Sequence, residues 1–327
     1  MKLSNFRDLL AVAELGSLRA AGRHLGIAQP VITRSIRELE RELGVSLFER
    51  HAKGVRLTDM GRVFVRRVES SQSEIRRARE EIAQLKGEMV GEVSVALSTA
   101  TCMGLMPSAL NTFQKRFPDA MVKITESLFQ PIENDLVSGK IDFWVGPLDQ
   151  SGISPQFTVE RLFDNHRRVV GRKGHALASA RSLKDLGGAR WIRPTLSTRN
   201  TEGDFDAMFA RLDLPPPKIV VQSRSALMTV LAVASTDLLT ILPQQWIEFA
   251  PTAGLFEVLD LIEPMIAAPM CIVKHQRMPL TPLAEHLCDQ LRRVGLNYGH
   301  RQEQNAKMTL PTGDGLAGGE APYTSPA

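Results

Sequence analysis

Apolar residues recur with helical spacing along the first 60 positions. Phe6, Leu9, Leu10 and Val12 or Ala13 mark the buried side of a helix over residues 4–15. Ala20, Ala21, Leu25, Ile27, Val31, Ile36 and Leu39 fit two short helices on a common core, joined by a Gly-containing turn, the second starting at Gln29-Pro30. This predicts a helix-turn-helix over residues 20–47 with a third helix to pack on. Leu47, Phe48, Val55 and Leu57 then flank a turn at Gly54, which predicts a small hairpin wing.

Thr58 is a candidate N-cap for a helix that runs without Gly or Pro from residue 62 to 86. Within it Phe64, Val68, Ser71, Ile75, Ala78, Ile82, Leu85 and Met89 step by four and three in strict alternation, between residues of both charge signs. That is a heptad seam, and it predicts a homodimer through the 59–90 helix. A single amphipathic helix lying on its own domain is the alternative.

From Gly91 the period changes. Residues 92–98, 120–127 and 141–146 read as strands, with helices over 101–117 and 130–139, a βαβαβ order that implies a parallel sheet. A second run follows: strands at 157–163, 167–172, 189–193, 218–223 and 238–243, with helices at 202–212 and 225–235. Two α/β lobes are implied. Ligands of such folds are expected at the carboxyl ends of the strands, and the first of these turns is the small polar loop Ser98-Thr99-Ala100-Thr101. Each hydroxyl there has a simpler reading as a helix cap. From about Gln302 the chain is rich in Gly, Pro, Thr and Ala without apolar periodicity, which predicts a disordered tail over 301–327.

Gln29, Thr33, Arg34 and Arg37 remain for the outer face of the helix-turn-helix. Such a face suits a DNA major groove, where Arg donates twice to guanine and Gln pairs with adenine. Arg50, Lys53 and Arg56 on the wing suit phosphates. Charge follows the same division. Residues 1–90 hold 17 Lys and Arg against 12 Asp and Glu, leaving 23 against 24 for the rest of the 327-residue chain. Nucleic acid at one end and a small molecule at the other would give that distribution.

Cys102, Cys271 and Cys288 have no CxxC spacing or adjacent His cluster, so no disulfide framework, zinc site or other cofactor is expected. No P-loop, GxSxG, HExxH or strand-linked GxGxxG is present, and the chain is not expected to be an enzyme. No apolar run reaches a membrane span and the first residues lack a signal-peptide core, which predicts a cytoplasmic protein with no membrane partner.

The densest match to a known family is SLRAAGRHLGIAQPVITRSIRELERELGVSLFERHAKGVRLTDMG. With it, residues 1 to about 298 resemble a LysR-type transcriptional regulator. The resemblance implies an α+β multi-domain chain: a winged helix-turn-helix DNA-binding domain (1–58), a dimerisation helix (59–90) and an effector-binding domain (91–300) like a periplasmic binding protein. Lobe I would comprise 91–161 and 266–300, and lobe II 162–265.

By the same resemblance Gln29, Val31, Thr33 and Arg34 face bases of promoter or operator DNA, while Arg50, Lys53 and Arg56 meet its backbone. The effector contacts would be Ser98, Thr99, Thr101, Phe129, Gln130, Gly146 and Pro147 in the first lobe, with Thr195, Ser197 and Thr198 in the second. A homotetramer built as a dimer of dimers, a small organic anion as effector and RNA polymerase as a further partner complete the expectation. The chain departs from the family at Ala28, where a Ser usually caps the recognition helix. Two other readings of the sequence stay open: a receptor-like small-molecule binder without specific DNA binding, and an architectural DNA-binding protein with little sequence preference.

Overall fold

The fold is that of a computed structural model, which describes residues 1–52, 54–194 and 201–309. The N-terminal unit packs α1 (Leu3–Leu15), α2 (Leu18–Leu25) and α3 (Gln29–Leu43) around Leu9, Val12, Ala21, Ile32, Ile36 and Leu39. The α2–α3 turn is fixed by glycines. Gly26 closes α2 at φ +67°, and Gly22 lies so near the turn that a Cβ there would stand 2.7 Å from the Ile27 carbonyl. After α3, the Glu40 carboxylate accepts the Leu47 and Phe48 amides (2.8 and 3.3 Å) and starts the hairpin of β1 (Phe48–His51) and β2 (Gly54–Leu57).

Thr58 caps α4 (Asp59–Leu85), its hydroxyl accepting the Gly61 amide at 2.9 Å. The heptad seam is divided in space. Phe64 and Val68 pack into the N-terminal core and Met89 onto the C-terminal core, so these three predicted seam residues are internal contacts of one chain. Ile75, Ile82 and Leu85 stay exposed, Leu85 at 75%. A different side of α4 lies on the C-terminal domain. There the Ser70 hydroxyl donates to the Val137 carbonyl (3.2 Å), Arg77 pairs with Asp142 (2.8 Å) and the Gln84 side chain accepts the Leu283 amide (3.1 Å).

Arg77 and Asp142 are both buried. Asp142 also accepts the Ser94 amide at 2.8 Å, and burial pushes its carboxyl up against the pull of Arg77. Among the described residues the Nε and Nη1 of Arg77 have no hydrogen-bond partner, although Nη1 is 4.0 Å from Glu74.

The C-terminal domain is built on one strand order, Ala120–Glu126, Gly91–Leu97, Phe143–Pro147, Ile266–His275, Phe157–Arg172, Leu238–Pro243, Arg190–Pro194 and Lys218–Ser223, with β10 (Phe256–Leu259) also on Phe157–Arg172. Lobe I joins β3 (Gly91–Leu97) in parallel to β4 (Ala120–Glu126) and β5 (Phe143–Pro147), with α5 (Thr99–Gly104), α6 (Met106–Arg116) and α7 (Phe129–Val137) between them. Lobe II joins β7 (Arg190–Pro194) in parallel to β8 (Lys218–Ser223) and β9 (Leu238–Pro243), with α8 (Thr201–Arg211) and α9 (Ala226–Ser235). Short α10 (Gln244–Glu248) and α11 (Ala250–Ala253) follow β9.

Two antiparallel strands carry the chain across. β6 (Phe157–Arg172) is one strand where the sequence pattern predicts two, because polar Asp164-Asn165-His166 interrupts the apolar alternation. The structure tolerates the break: Asn165 is buried and accepts from Gln245 of α10 at 3.3 Å. β6 pairs with β11 (Ile266–His275) as far as His166 and with β9 from Arg167. The strand therefore changes lobe between those two residues, a few positions later than the predicted boundary at 161–162.

α12 (Pro282–Thr309) returns to lobe I and then runs on. Residues 301–309 are helical, which corrects the predicted tail; 310–327 lie outside the described residues. The extension is anchored where Tyr298 packs on Phe163 (ring centroids 4.9 Å) and donates to the Glu248 carboxylate (2.6 Å), tying α12 to α10 of lobe II.

Candidate nucleic-acid interface and sensor site

α3 buries Ile32, Ser35, Ile36 and Leu39 and turns the rest outward. Gln29, Arg34 and Arg37 are exposed and Thr33 half-exposed, its hydroxyl donating to the Gln29 carbonyl at 3.0 Å. Val31, read from its spacing as core and from the family resemblance as base-facing, is 52% exposed. The core assignment is the one that fails. A concavity of about 630 Å3 opens on this side, lined by Gln29, Pro30, Thr33, Arg34, Arg37, Glu38 and Arg41. Ala28 stands at the N-cap without a side-chain bond, and Pro30 within the first turn removes one amide that would otherwise need a partner.

On the wing Arg50 and Arg56 are exposed, with Arg56 bonded across the hairpin to Glu49 (2.6 Å). Lys53 lies outside the described residues. The result is a water-facing surface that carries Arg34 and Arg37 on the helix and Arg50 and Arg56 on the wing, over a packed apolar core. Such a surface can meet a groove and its phosphates together.

The sensor residues are placed differently. Ser98 caps α5, accepting the Thr101 amide at 3.3 Å, and its hydroxyl is 3.0 Å from that of Thr101, which in turn donates to the Val145 carbonyl at 3.0 Å. Both are buried. Thr99 is buried and donates to the carboxylate of Glu126, at the end of β4. The hydroxyls of the predicted loop thus each have a partner within the protein. Phe129 is buried as well. It packs edge-on against Trp144 and Phe157 (5.5 and 5.3 Å) as part of the lobe I core.

Gln130 is exposed and Pro147 partly so. Gly146, within β5, is buried, and a Cβ there would stand 2.4 Å from the Trp144 ring, so this strand position has room for a glycine alone. Thr195, Ser197 and Thr198 lie outside the described residues. Apolar packing is continuous from Val93 and Val145 through Val170 to Val230 and Trp246, so the lobes share a core. A concavity of about 290 Å3 opens at the crossover, between residues 166–168 and 261–266.

Among the described residues no group of His, Cys, Asp or Glu could hold a metal ion. Burial pushes the thiols of Cys102 and Cys288 up to about 12 and raises that of Cys271, so all three resist becoming thiolates. Among the described residues no helix is long and apolar enough to cross a membrane.

Comparison with known proteins fits this geometry. Residues 3–62 match the family model "Bacterial regulatory helix-turn-helix protein, lysR family", and residues 86–295 match "LysR substrate binding domain". The chain is 26% identical over 296 residues to the HTH-type transcriptional regulator GbpR of Azospirillum brasilense, covering 89% of this chain and 86% of that one. Among solved structures, full-length CbnR complexed with its target DNA superposes with a TM-score of 0.65 at 20% identity, over 90% of this chain and 100% of that one. A full-length OxyR variant from Pseudomonas aeruginosa gives 0.66 at 22% identity, over 89% and 95%. At those identities the structures speak for the fold alone.

Proposed function

The chain belongs to the LysR family of bacterial transcription regulators, and we propose that it reads a specific DNA sequence as a homodimer under the control of a small molecule. The observation that carries this reading is the outer face of α3, where Gln29, Val31 and Arg34 stand exposed over a fully buried core. Gln29, Val31, Thr33 and Arg34 contact base edges; Arg37, Arg50, Lys53 and Arg56 contact phosphates and set register. CbnR, similar in fold, is solved with its target DNA.

The exposed stripe Ser71, Ile75, Ala78, Ile82 and Leu85 pairs with its copy in a second chain, bringing two readers to two half-sites. Two such dimers join as a tetramer. The effector is a small organic anion at the carboxyl ends of the strands, held by Gln130, Gly146, Pro147, Thr195, Ser197 and Thr198. Ser98, Thr99, Thr101 and Phe129 form the frame of that site. An effector that prefers one arrangement of the lobes shifts the population, and α4, bonded to lobe I through Arg77 and Gln84, passes the shift to the readers. Action is in the cytoplasm, on promoters served by RNA polymerase.

A competition gel shift tests the reading. Duplex recovered by the full chain from a random pool should survive a thousandfold excess of scrambled competitor, a ratio typical of specific readers (about 10³ or more). Equal displacement by both would identify an architectural binder. No shift at all would leave only the receptor-like alternative.

A further inference from the structure

One hydrogen-bonded chain links the interior of the reader to an arginine on its outer face. Asn5 of α1 is buried, and its amide is oriented by the Lys2 backbone N–H, which donates to Asn5 Oδ1 at 3.1 Å. That leaves Asn5 Nδ2 to donate to the Ser35 carbonyl and hydroxyl (3.2 Å each) and to Glu38 Oε2 (3.4 Å). The other carboxylate oxygen, Glu38 Oε1, accepts from Arg34 Nε at 3.0 Å. The Arg34 side chain is 83% exposed, yet its guanidinium is held at one specific nitrogen.

As a stabilising pair this contact is poorly arranged. Both partners face water, and an arginine four residues before a glutamate is the weaker order on a helix. Its geometry has a clearer use. A guanidinium bonded through Nε keeps both terminal nitrogens available, and those form the fork that matches guanine O6 and N7. Hydrogen bonds from Arg34 first and Asn5 second hold the Glu38 carboxyl below its ordinary range, so it stays charged. A fixed negative charge on a groove-facing surface also repels phosphate wherever the fork finds no base to bind.

We propose that Glu38 is a positioning residue for DNA reading: it aims the guanidinium of Arg34 at a guanine and weakens binding to sequences that lack one. The inference rests on Arg34 being a base contact, and the two are separable by experiment. The full chain is titrated with its selected duplex, each base pair replaced in turn, and with a scrambled duplex, using wild type, Arg34→Ala, Glu38→Ala and Glu38→Gln.

Arg34→Ala flattens the preference at one base pair of each half-site. Glu38→Ala lowers the preference at that same pair by about tenfold while tightening binding to scrambled duplex. Glu38→Gln keeps an acceptor for Arg34 Nε but gives up the negative charge and the longer contact from Asn5. It therefore restores the preference at that pair but retains the tighter scrambled-duplex binding. If Glu38→Ala tightens scrambled binding and leaves the pair unchanged, Glu38 is a screening charge and the proposal fails. An even loss of preference at every pair would mean a merely structural role and would also overturn it. If Arg34→Ala changes no pair, the base-reading role of Arg34 falls, and the inference with it.

Discussion

In the reader, the side chains assigned to contact stand outside the core with their polar ends in water; in the sensor, the hydroxyls assigned to contact are inside and already bonded to the protein. Arg34 is 83% exposed at its side chain, whereas Thr101 is fully buried with its hydroxyl donating to Val145. The contrast follows from the ligands. A DNA groove is a large, preformed polyanionic surface that must be met from outside, so α3 gives its buried apolar positions to Ile32, Ile36 and Leu39 alone. A small molecule is met in a recess, where every polar group left without a ligand costs free energy unless the fold supplies a partner. Ser98 and Thr101 have that partner, which makes them part of the frame.

The sharpest test of the interior side of this contrast is Arg77, which pairs at 2.8 Å with the buried Asp142. Asp142→Ala leaves a buried charge unpaired and should cost about 3–5 kcal/mol, measured by urea unfolding. All three tryptophans, Trp144, Trp191 and Trp246, lie in the sensor, so their fluorescence reports that domain. Replacing the pair together, Arg77→Met with Asp142→Ala, should recover much of the loss; a double variant no better than the single would mean the pair is not the cause.

Next in size is the exposed stripe of α4. Ile82→Asp should convert the dimer to monomer by sedimentation and weaken operator binding by about a hundredfold or more through lost avidity. An unchanged sedimentation coefficient would assign Ile82 to solvent. On the reader, Arg34→Ala should remove about 1–3 kcal/mol of discrimination at one base pair, seen in the base-replacement titration. Arg56→Ala should instead weaken all duplexes alike and reduce the salt dependence by about one unit. The smallest effect is expected at Thr99. Thr99→Val removes the bond to Glu126, at about 1 kcal/mol, and induction in a reporter strain should persist; loss of induction without loss of stability would restore Thr99 as a ligand contact and erase the contrast.

The reader was largely legible because its pattern is local: helix period, a Gly turn, Gln-Pro at the start of α3 and cations around Gly54 all fall within 60 residues. Spacing alone put Val31 in the core because an apolar residue at helical spacing gives no sign of which face it occupies; the family resemblance put it outside. The sensor's alternation of strands and helices was equally plain, but which of its polar and aromatic residues are enclosed was not. A Ser after a strand looks the same whether it caps a helix or holds a ligand, and Phe129 after β4 gives no hint that Trp144 and Phe157 enclose it.

Contacts between distant residues were invisible for the same reason. Asn5 and Glu38 lie 33 positions apart and Arg77 and Asp142 lie 65 apart. One signal was present: Ser70, Arg77 and Gln84 repeat every seven residues beside the apolar stripe, marking a second, polar face of α4 that docks on lobe I. Beyond residue 300, HRQEQNAKM lacks apolar periodicity yet is rich in good helix formers, and the Tyr298 anchor lets α12 continue through it.

The central claim is that two readers, joined by α4, act together on one duplex. Selection of bound sequences from a random pool by the full chain tests it most directly. A motif repeated about a two-fold axis, with half-sites centred one helical turn or a whole multiple of about 10 base pairs apart, is the result the account predicts. A single unrepeated half-site, or a pool with no motif, would contradict it.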